Sequence, residues 1–397
     1  MPHSRFSFVN EAPSDPILGL TEEFKKDNNP SKVNLGVGVY YNDEGKIPVL
    51  KSVTESLKLI YKKTQEKNYL PIDGLPEFKK NIANLIFGED FSSLNIATFQ
   101  SIGGTGALKI GADFLKSIFP ENEVYISDPS WANHNGIFAG AGFKVNKYPY
   151  YSASTNNIDF ENMCSYFNNL RDNSIIVLHA CCHNPTGIDI TANQWEKLAD
   201  IFENRRLIPF FDMAYQGFGI DLENDAFPIK LFSNRELSLL VANSFSKSMS
   251  LYGERIGALN ILCKNLQEKN NIESQVKTFI RANYSNPPIT GGLIANTILN
   301  SVELKKIWES ELAEMNERIK SIRQIFTGKL NDKSQQNFDF LNTQAGMFSF
   351  SGITENKVNL LKRDFSVYMI KNGRICIAAI NSKNIEYVSD SIAAVIS

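Results

Sequence analysis

Little in this chain of 397 residues is extreme, and what it lacks narrows the reading first. The net charge is only -2. That leaves no basic excess of the kind nucleic acid or an anionic membrane surface would attract. No apolar run reaches bilayer-spanning length, and the opening MPHSRFSFVNEAPSDP has no apolar signal-peptide core. A cytoplasmic location is expected. Cysteine is scarce and scattered: Cys164, Cys181, Cys182, Cys263 and Cys376, odd in number and without a CxxC. This excludes a disulfide framework and fits free thiols in a reducing compartment. Histidine is scarcer still. His179 and His183 are four apart, but they straddle an expected strand end rather than a helix face, so no metal site is expected. There is no internal repeat and no GxGxxG, which removes the fingerprint a nicotinamide dehydrogenase would need.

What is present is alternation. The length exceeds the size at which one core stops growing, so a large domain and a smaller one are expected. Strands are expected at 123–129, 143–150, 207–215, 239–242 and 256–263, and the stretch 174–187 is expected to be a buried strand running into a turn at Asn184-Pro185-Thr186-Gly187. Helices are expected at 17–29, 50–66, 133–140, 159–170 and 191–205, the last capped by Thr191 or Asn193. A Gly-rich turn at Gly103-Gly104-Thr105-Gly106 opens onto a helix reaching 119. Repeated β-α units imply an α/β fold with a mostly parallel sheet and helices on both faces. From 265 the pattern turns helical, with a break at Pro287-Pro288 and helices over 291–299 and 301–330. A polar loop comes next, then short strands at 346–353 and 374–380 around a helix at 355–371, and a closing helix over 384–396. Gly36 and Gly38 alternate with valines, which suggests that backbone there approaches a ligand closely.

The chemistry gathers at strand ends. An apolar run leads into SFSKSMSLYGERIG, which places Lys247 just past a strand's carboxyl end, where open α/β sheets bind ligands. Its small, hydroxylic and apolar flanks imply partial desolvation, which lowers an amine's pKa and frees it as nucleophile or base. Asp212 ends another strand. Asn184 and Tyr215 offer neutral hydrogen-bonding groups, and Trp131 offers a flat ring. Gly104, Thr105, Ser244 and Arg255 form a candidate phosphate cup. One cofactor, a pyridine aldehyde phosphate, uses all of these. Singly, each residue has a plain structural reading. Together, in this order, they point to one site.

The same stretches carry a resemblance from end to end. DPILGL, NLGVGVYYNDEGK, NYLPIDGLPEF, GGTGALKIGADFL, PSWANH, HACCHNPTG, FFDMAYQGF, SFSKSMSLYGERIGAL and IRANYSNPP resemble the class I, fold-type I pyridoxal-phosphate aminotransferases of the aspartate/aromatic branch. The resemblance implies a three-layer large domain with a mixed, mostly parallel sheet, over 48–314. It also implies a smaller α+β domain from 15–47 and 315–397, and an arm over 1–14 that reaches a partner subunit. Lys247 would hold the cofactor covalently and later move a proton. Asp212 would pair with the pyridinium nitrogen, backed by His134. Asn184 and Tyr215 would bond the ring oxygen, Trp131 would stack on the ring, and Tyr252 would tune Lys247. Gly104, Thr105, Ser244 and Arg255 would hold the phosphate, helped by Tyr69 from the partner of a homodimer. Arg374, assisted by Asn184, would clamp the substrate's α-carboxylate. Arg281 of the other subunit would take a distal carboxylate, and Gly38 would let the early segment close over substrate.

Substrate range is mixed in its signals. Tyr41 and Ile47 resemble the branch that accepts aromatic substrates. Val39, Asn68, Thr105 and Asn286 resemble the aspartate-restricted branch, and Ile289-Thr290-Gly291 matches neither. Dual specificity, with 2-oxoglutarate as acceptor and ping-pong kinetics, is the expectation. A strictly aspartate-specific enzyme and a lyase on the same fold are the alternatives. A regulator with an aminotransferase-like sensor would need a DNA-binding module, and the family pattern already begins by Asp15.

Overall fold

The computed structural model describes residues 4–11, 17–62, 66–88 and 92–396. Asp15, parts of the arm before it and residues 63–65 of the expected helix 50–66 lie outside these. Seven strands form the central sheet. Their spatial order is Asn95–Ile102, Ile256–Cys263, Leu240–Ser244, Ile208–Met213, Ile175–His179, Val124–Asp128 and Val145–Pro149. Of these, Ile256–Cys263 alone runs antiparallel to its neighbours. The expected mixed, mostly parallel α/β sheet is therefore present.

Its strands are apolar on both faces because both are covered. Successive side chains alternate, so Phe210 enters one core and Phe211 the other. Helices Gly103–Ile118 and Leu266–Asn283 cover one face. Helices Pro76–Phe87, Ala192–Arg205 and Phe227–Asn234 cover the other. Thr191 caps the helix it precedes through a reciprocal capping box with Gln194. Strand direction decides where the loops gather. Ile102, His179, Met213 and Ser244 are the last residues of strands pointing the same way, so the segments after them meet at one end. The antiparallel strand starts at that end and delivers Arg255, the residue before it.

Gly257 shows how tight this corner is. A Cβ there would collide with the Asn243 carbonyl oxygen and come within 2.8 Å of the Gly103 carbonyl carbon. Both are backbone, so neither can rotate away. Gly257→Ala is expected to cost about 1–3 kcal/mol by overpacking and to lower Tm by several degrees. An unchanged Tm in a thermal melt would contradict this.

The remaining elements pack outside the seven-stranded sheet and share the core on one of its faces. Val33–Asn34 pairs in parallel with Val367–Tyr368, and Phe348–Phe350 pairs antiparallel with Arg374–Cys376. Helix Val302–Lys333 packs against Lys51–Lys62, Ile289–Asn300 and Ile385–Ile396. On it, fully buried Trp308 donates its indole N–H to the Ser248 carbonyl at 2.7 Å, which pins the segment after Lys247.

Several local expectations are corrected. Helix 17–29 spans only Leu18–Lys26. No separate Gly-rich turn precedes helix Gly103–Ile118: the helix begins at Gly103 itself, at φ +73. The expected helix 355–371 stops at Phe365, because Ser366 adopts left-handed backbone and Val367–Tyr368 joins a strand pair. The polar loop after 330 is helical to Lys333 and then forms a 3-10 turn at Asp339–Thr343. Helix Phe227–Asn234 and the small pair Tyr151–Ser152 with Asn157–Ile158 add to the expected elements; all are too short for a clear period in the sequence. Gly36 is tight for a reason other than a ligand, since a Cβ there would strike Leu20. Among the described residues no helix is long and apolar enough to cross a membrane.

Candidate active site

A cavity of about 180 Å³ lies at the convergent strand ends. Gly38, Gly104, Thr105, Trp131, Asn184, Asp212, Tyr215, Ser244, Lys247, Arg255 and Arg374 all line it. They come from the early segment, five strand ends and the late strand pair, so only folding brings them together.

Lys247 sits on one wall, its Nζ 5.1 Å from the Tyr215 ring centroid. Burial lowers its pKa to about 8; Asp212 opposes the shift, while Arg255 and Arg374 add to it. The amine is thus within reach of neutrality at ordinary pH. Asp212 lies deeper. Burial pushes its pKa up, but the hydrogen bond from His134 and nearby positive charge outweigh this and leave it below the usual carboxylate value. His134 Nε2 lies 2.9 Å from Asp212 Oδ2, and its Nδ1 lies 2.9 Å from Ser130 Oγ. With Asp212 ionised, Nε2 donates to it. His134 does not line the cavity; it stands behind the carboxylate.

At one end of the cavity are the first turn of helix Gly103–Ile118, Ser244 and Arg255. Unpaired N–H groups at a helix start, a hydroxyl and a guanidinium suit a phosphate. The side chain Gly103 lacks would crowd Arg255, at 2.6 Å from Nη2. Ser246 belongs here too, 3.4 Å from Arg255 Nη1 and 3.1 Å from Ser244 Oγ.

At the other end stands Arg374, buried, with its guanidinium 4.3 Å above the Phe348 ring. Nη1 donates to Asn184 Oδ1 at 3.1 Å, and Nη2 donates to the Gly36 carbonyl. Its Nε has no partner among the described residues. Burial lowers its pKa, yet a guanidinium stays charged. A buried cation with an unused donor is suited to a carboxylate from outside the chain. Asn184 Nδ2 lies 3.4 Å from the Tyr215 hydroxyl, which burial keeps protonated.

Three expected residues stand elsewhere. Tyr252 does not line the cavity; its hydroxyl accepts the Tyr40 N–H at 2.8 Å and ties the early segment to the loop after Lys247. Tyr69 is 89% exposed, and Arg281 is exposed and bonded to Ser285. Of the specificity positions, only Thr105 reaches the cavity; Val39, Tyr41, Ile47, Asn68 and Asn286 do not.

His179, Ser246 and Phe348 also line the cavity, and sequence reasoning misses all three. The spacing of His179 from His183 raises only the question of a metal. In the fold it stands in register with Asp212 on the neighbouring parallel strand, a pairing that neither segment marks in its own sequence. Burial holds its imidazole neutral, with its pKa lowered to about 3. His134, His179 and Asp212 bring ligand atoms within 4.8 Å of one another, but the His134–Asp212 hydrogen bond already uses one atom of each side chain. Phe348 carries no signal, since any strand aromatic looks the same.

The set fits pyridoxal phosphate: a desolvated amine, a buried charged carboxylate, an anion cup and flat walls share one cavity. Residues 30–392 match the family model described as Aminotransferase class I and II. The chain is 46% identical to the aspartate aminotransferase of Pseudomonas aeruginosa, covering 99% of this chain and 100% of that one. It is 44% identical to the aromatic-amino-acid aminotransferase of Escherichia coli, covering 98% and 100%. Its structure is similar to that of an aromatic-amino-acid aminotransferase from Burkholderia pseudomallei covalently bound to pyridoxal phosphate, with a TM-score of 0.97, 47% identity and full coverage of both chains. The chain therefore belongs to the class I and II aminotransferases and is a pyridoxal-phosphate-dependent transaminase of fold type I.

Proposed function

We propose that this transaminase takes amino groups from aspartate and from phenylalanine or tyrosine and passes them to 2-oxoglutarate by a ping-pong route. It works as a cytoplasmic homodimer with shared sites. The observation that carries the reading is Arg374, a buried guanidinium whose Nε has no partner among the described residues, in the same cavity as the depressed amine of Lys247. Every proposed substrate has the α-carboxylate such a group binds. Relatives named for aspartate and for aromatic amino acids are almost equally similar, which supports the double range. Five free thiols among the described residues support a reducing compartment.

When bound, pyridoxal phosphate supplies an electron sink for the bond broken at the substrate's α-carbon. The chain does the rest. Lys247 Nζ holds the cofactor and, once free, moves the α-proton as a general base and acid. Asp212, kept ionised by His134, holds a proton on the ring nitrogen. Asn184 and Tyr215 orient the ring oxygen, Trp131 covers one ring face, and Tyr252 braces the loop after Lys247. Gly104, Thr105, Ser244 and Arg255 grip the phosphate, with Tyr69 from the partner. Arg374 and Asn184 orient the α-carboxylate. Arg281 of the partner subunit pairs with a distal carboxylate or stands aside for an aromatic ring. Gly38 lets the early segment close against Phe348. The working division is an arm over 1–14, a large domain over 48–314, and a small domain from 15–47 and 315–397, with helix Val302–Lys333 crossing the boundary.

Stopped-flow half-reactions with aspartate, phenylalanine, tyrosine and valine test the range. Aspartate and the two aromatic substrates should all react much faster than valine. Equal rates with phenylalanine and valine, both far below aspartate, would leave the strictly aspartate-specific reading.

Arg374→Lys should raise KM for every amino acid and for 2-oxoglutarate together, by about 10²-fold, as a point charge replaces the two-pronged contact. A rise confined to dicarboxylates would move the α-carboxylate elsewhere.

The amine also sets a pH dependence. Only neutral Lys247 can bond the aldehyde carbon, so capture of pyridoxal phosphate by the cofactor-free protein should quicken as pH rises through about 8 and then level off. The folded pKa lies below the unfolded 10.5, so the unfolded chain binds more protons between the two values. The Lys247 contribution to cofactor-free stability therefore improves as pH rises across that window. A capture rate that keeps rising to pH 10.5 would mean an unperturbed amine.

A further inference from the structure

Gln100 is fully buried in strand Asn95–Ile102 and does not line the cavity, yet it holds three segments together. Its backbone N–H donates to the Asp73 carbonyl at 3.0 Å. Its side-chain Oε1 accepts the Leu75 N–H at 3.1 Å, and Nε2 donates to the Pro288 carbonyl at 2.8 Å. Leu75 and Pro288 are the N-cap residues of helices Pro76–Phe87 and Ile289–Asn300. One amide thus sets where two helices begin and how the chain enters each. Two glycines close around it: a Cβ at Gly74 would strike Gln100 Cβ, and one at Gly292 would come within 2.6 Å of Nε2. Asp73 extends the tie, its carboxylate bonded to Lys79 and 3.3 Å from Lys277 on helix Leu266–Asn283.

The two entering segments carry Tyr69 on one side and Arg281 with Asn286 on the other. None of these side chains lines this protomer's own cavity, and the first two are exposed. We propose that Gln100 is a positioning residue that sets the geometry of the segments 69–75 and 281–288, which this chain offers to the active site of its partner. The inference rests on the shared-site homodimer proposed above. It adds that the residues acting in the partner's site are aimed from the sheet of the donating chain by one buried amide. A side-chain amide suits the task, because it must accept from one helix cap and donate to the other; a carboxylate or an alkyl group satisfies only one or neither.

Heterodimers of differently tagged chains test this. Gln100→Leu homodimers should show KM for aspartate raised about tenfold, as for loss of a well-placed hydrogen bond, with a smaller rise for phenylalanine and little change in kcat. Pairing a Gln100→Leu chain with a Lys247→Ala chain leaves one working site, served by intact segments, and should restore the native aspartate KM. Pairing a native chain with one carrying both changes should keep it raised. If KM instead follows Gln100 of the chain that supplies Lys247, or if both substrates lose alike with only a fall in Tm, the inference is overturned. Lys277→Met, which loosens the same tie from a partly exposed position, gives the same comparison should Gln100→Leu not fold; an unchanged aspartate KM in all its pairings would equally overturn the inference. A control pair, Arg281→Ala with Lys247→Ala, isolates the premise. Failure of that pair to recover aspartate activity removes the shared site, whereas its recovery with a negative Gln100 result removes only this proposal.

Discussion

Lys247→Ala is expected to lower kcat for transamination by about 10⁴-fold or more, with the protein still folded. In the role proposed above the amine has two duties, covalent tenure of the cofactor and proton transfer at the substrate's α-carbon, and general acid–base catalysis alone contributes about 10²–10⁴-fold. The neighbouring groups cannot substitute. Tyr215 is held protonated by burial, Asp212 is engaged with His134, and Arg374 stays charged. The fold should not suffer, because burial already disfavours the charged amine, and the alanine removes that strain. Single-turnover absorbance with aspartate, beside a thermal melt, reads both outcomes. A loss of only tenfold, or a collapse in Tm, would show that the lysine is not the reacting group.

Asp212→Asn is the second large effect. The amide keeps nearly the same shape and can still meet His134, but it removes the charge. A preorganised charge facing the reacting centre in a water-poor site is worth about 10²–10³ in kcat when lost. The fall should appear in kcat more than in KM, since the proposed carboxylate clamp is the hydrogen-bonded pair Arg374 and Asn184 and not Asp212. Asp212→Glu should recover part of the rate, as it restores charge at slightly wrong reach. The sign with pH is also set. The folded pKa of Asp212 lies below its usual value, so its contribution to stability is complete above the unfolded value and fades only as pH falls through the folded one. The Tm gap between native protein and Asp212→Asn should therefore hold steady from neutral to mildly alkaline pH and close only in acid. A rate equal to native would remove Asp212 from the chemistry.

Much of this site is legible in the primary structure for a simple reason. Strand-to-loop transitions leave a local signature, an apolar run with small or polar residues after it. Lys247, Asp212 and Asn184 each sit at or just past the end of such a run. Tyr252 does not follow from that logic. The resemblance implies that it tunes the amine, yet in the fold it does not line the cavity and its hydroxyl accepts the Tyr40 N–H. Gly36 owes its lack of a side chain to Leu20, a contact that its own segment does not announce. His179 and Phe348 are hidden in the sequence because their relevance depends on a partner strand, and pairing carries no mark within a single segment.

The order of apolar runs and breaks thus settled the fold class, the cofactor chemistry and most of the residues able to perform it, since each depends on short-range pattern. Depth of burial, which turns an ordinary lysine and arginine into an available amine and an unsatisfied clamp, arises only when distant segments exclude water around them. The tie between the segments that carry Tyr69 and Arg281 likewise exists only in the fold, where Gln100 bonds Leu75 and Pro288, positions far apart in the chain.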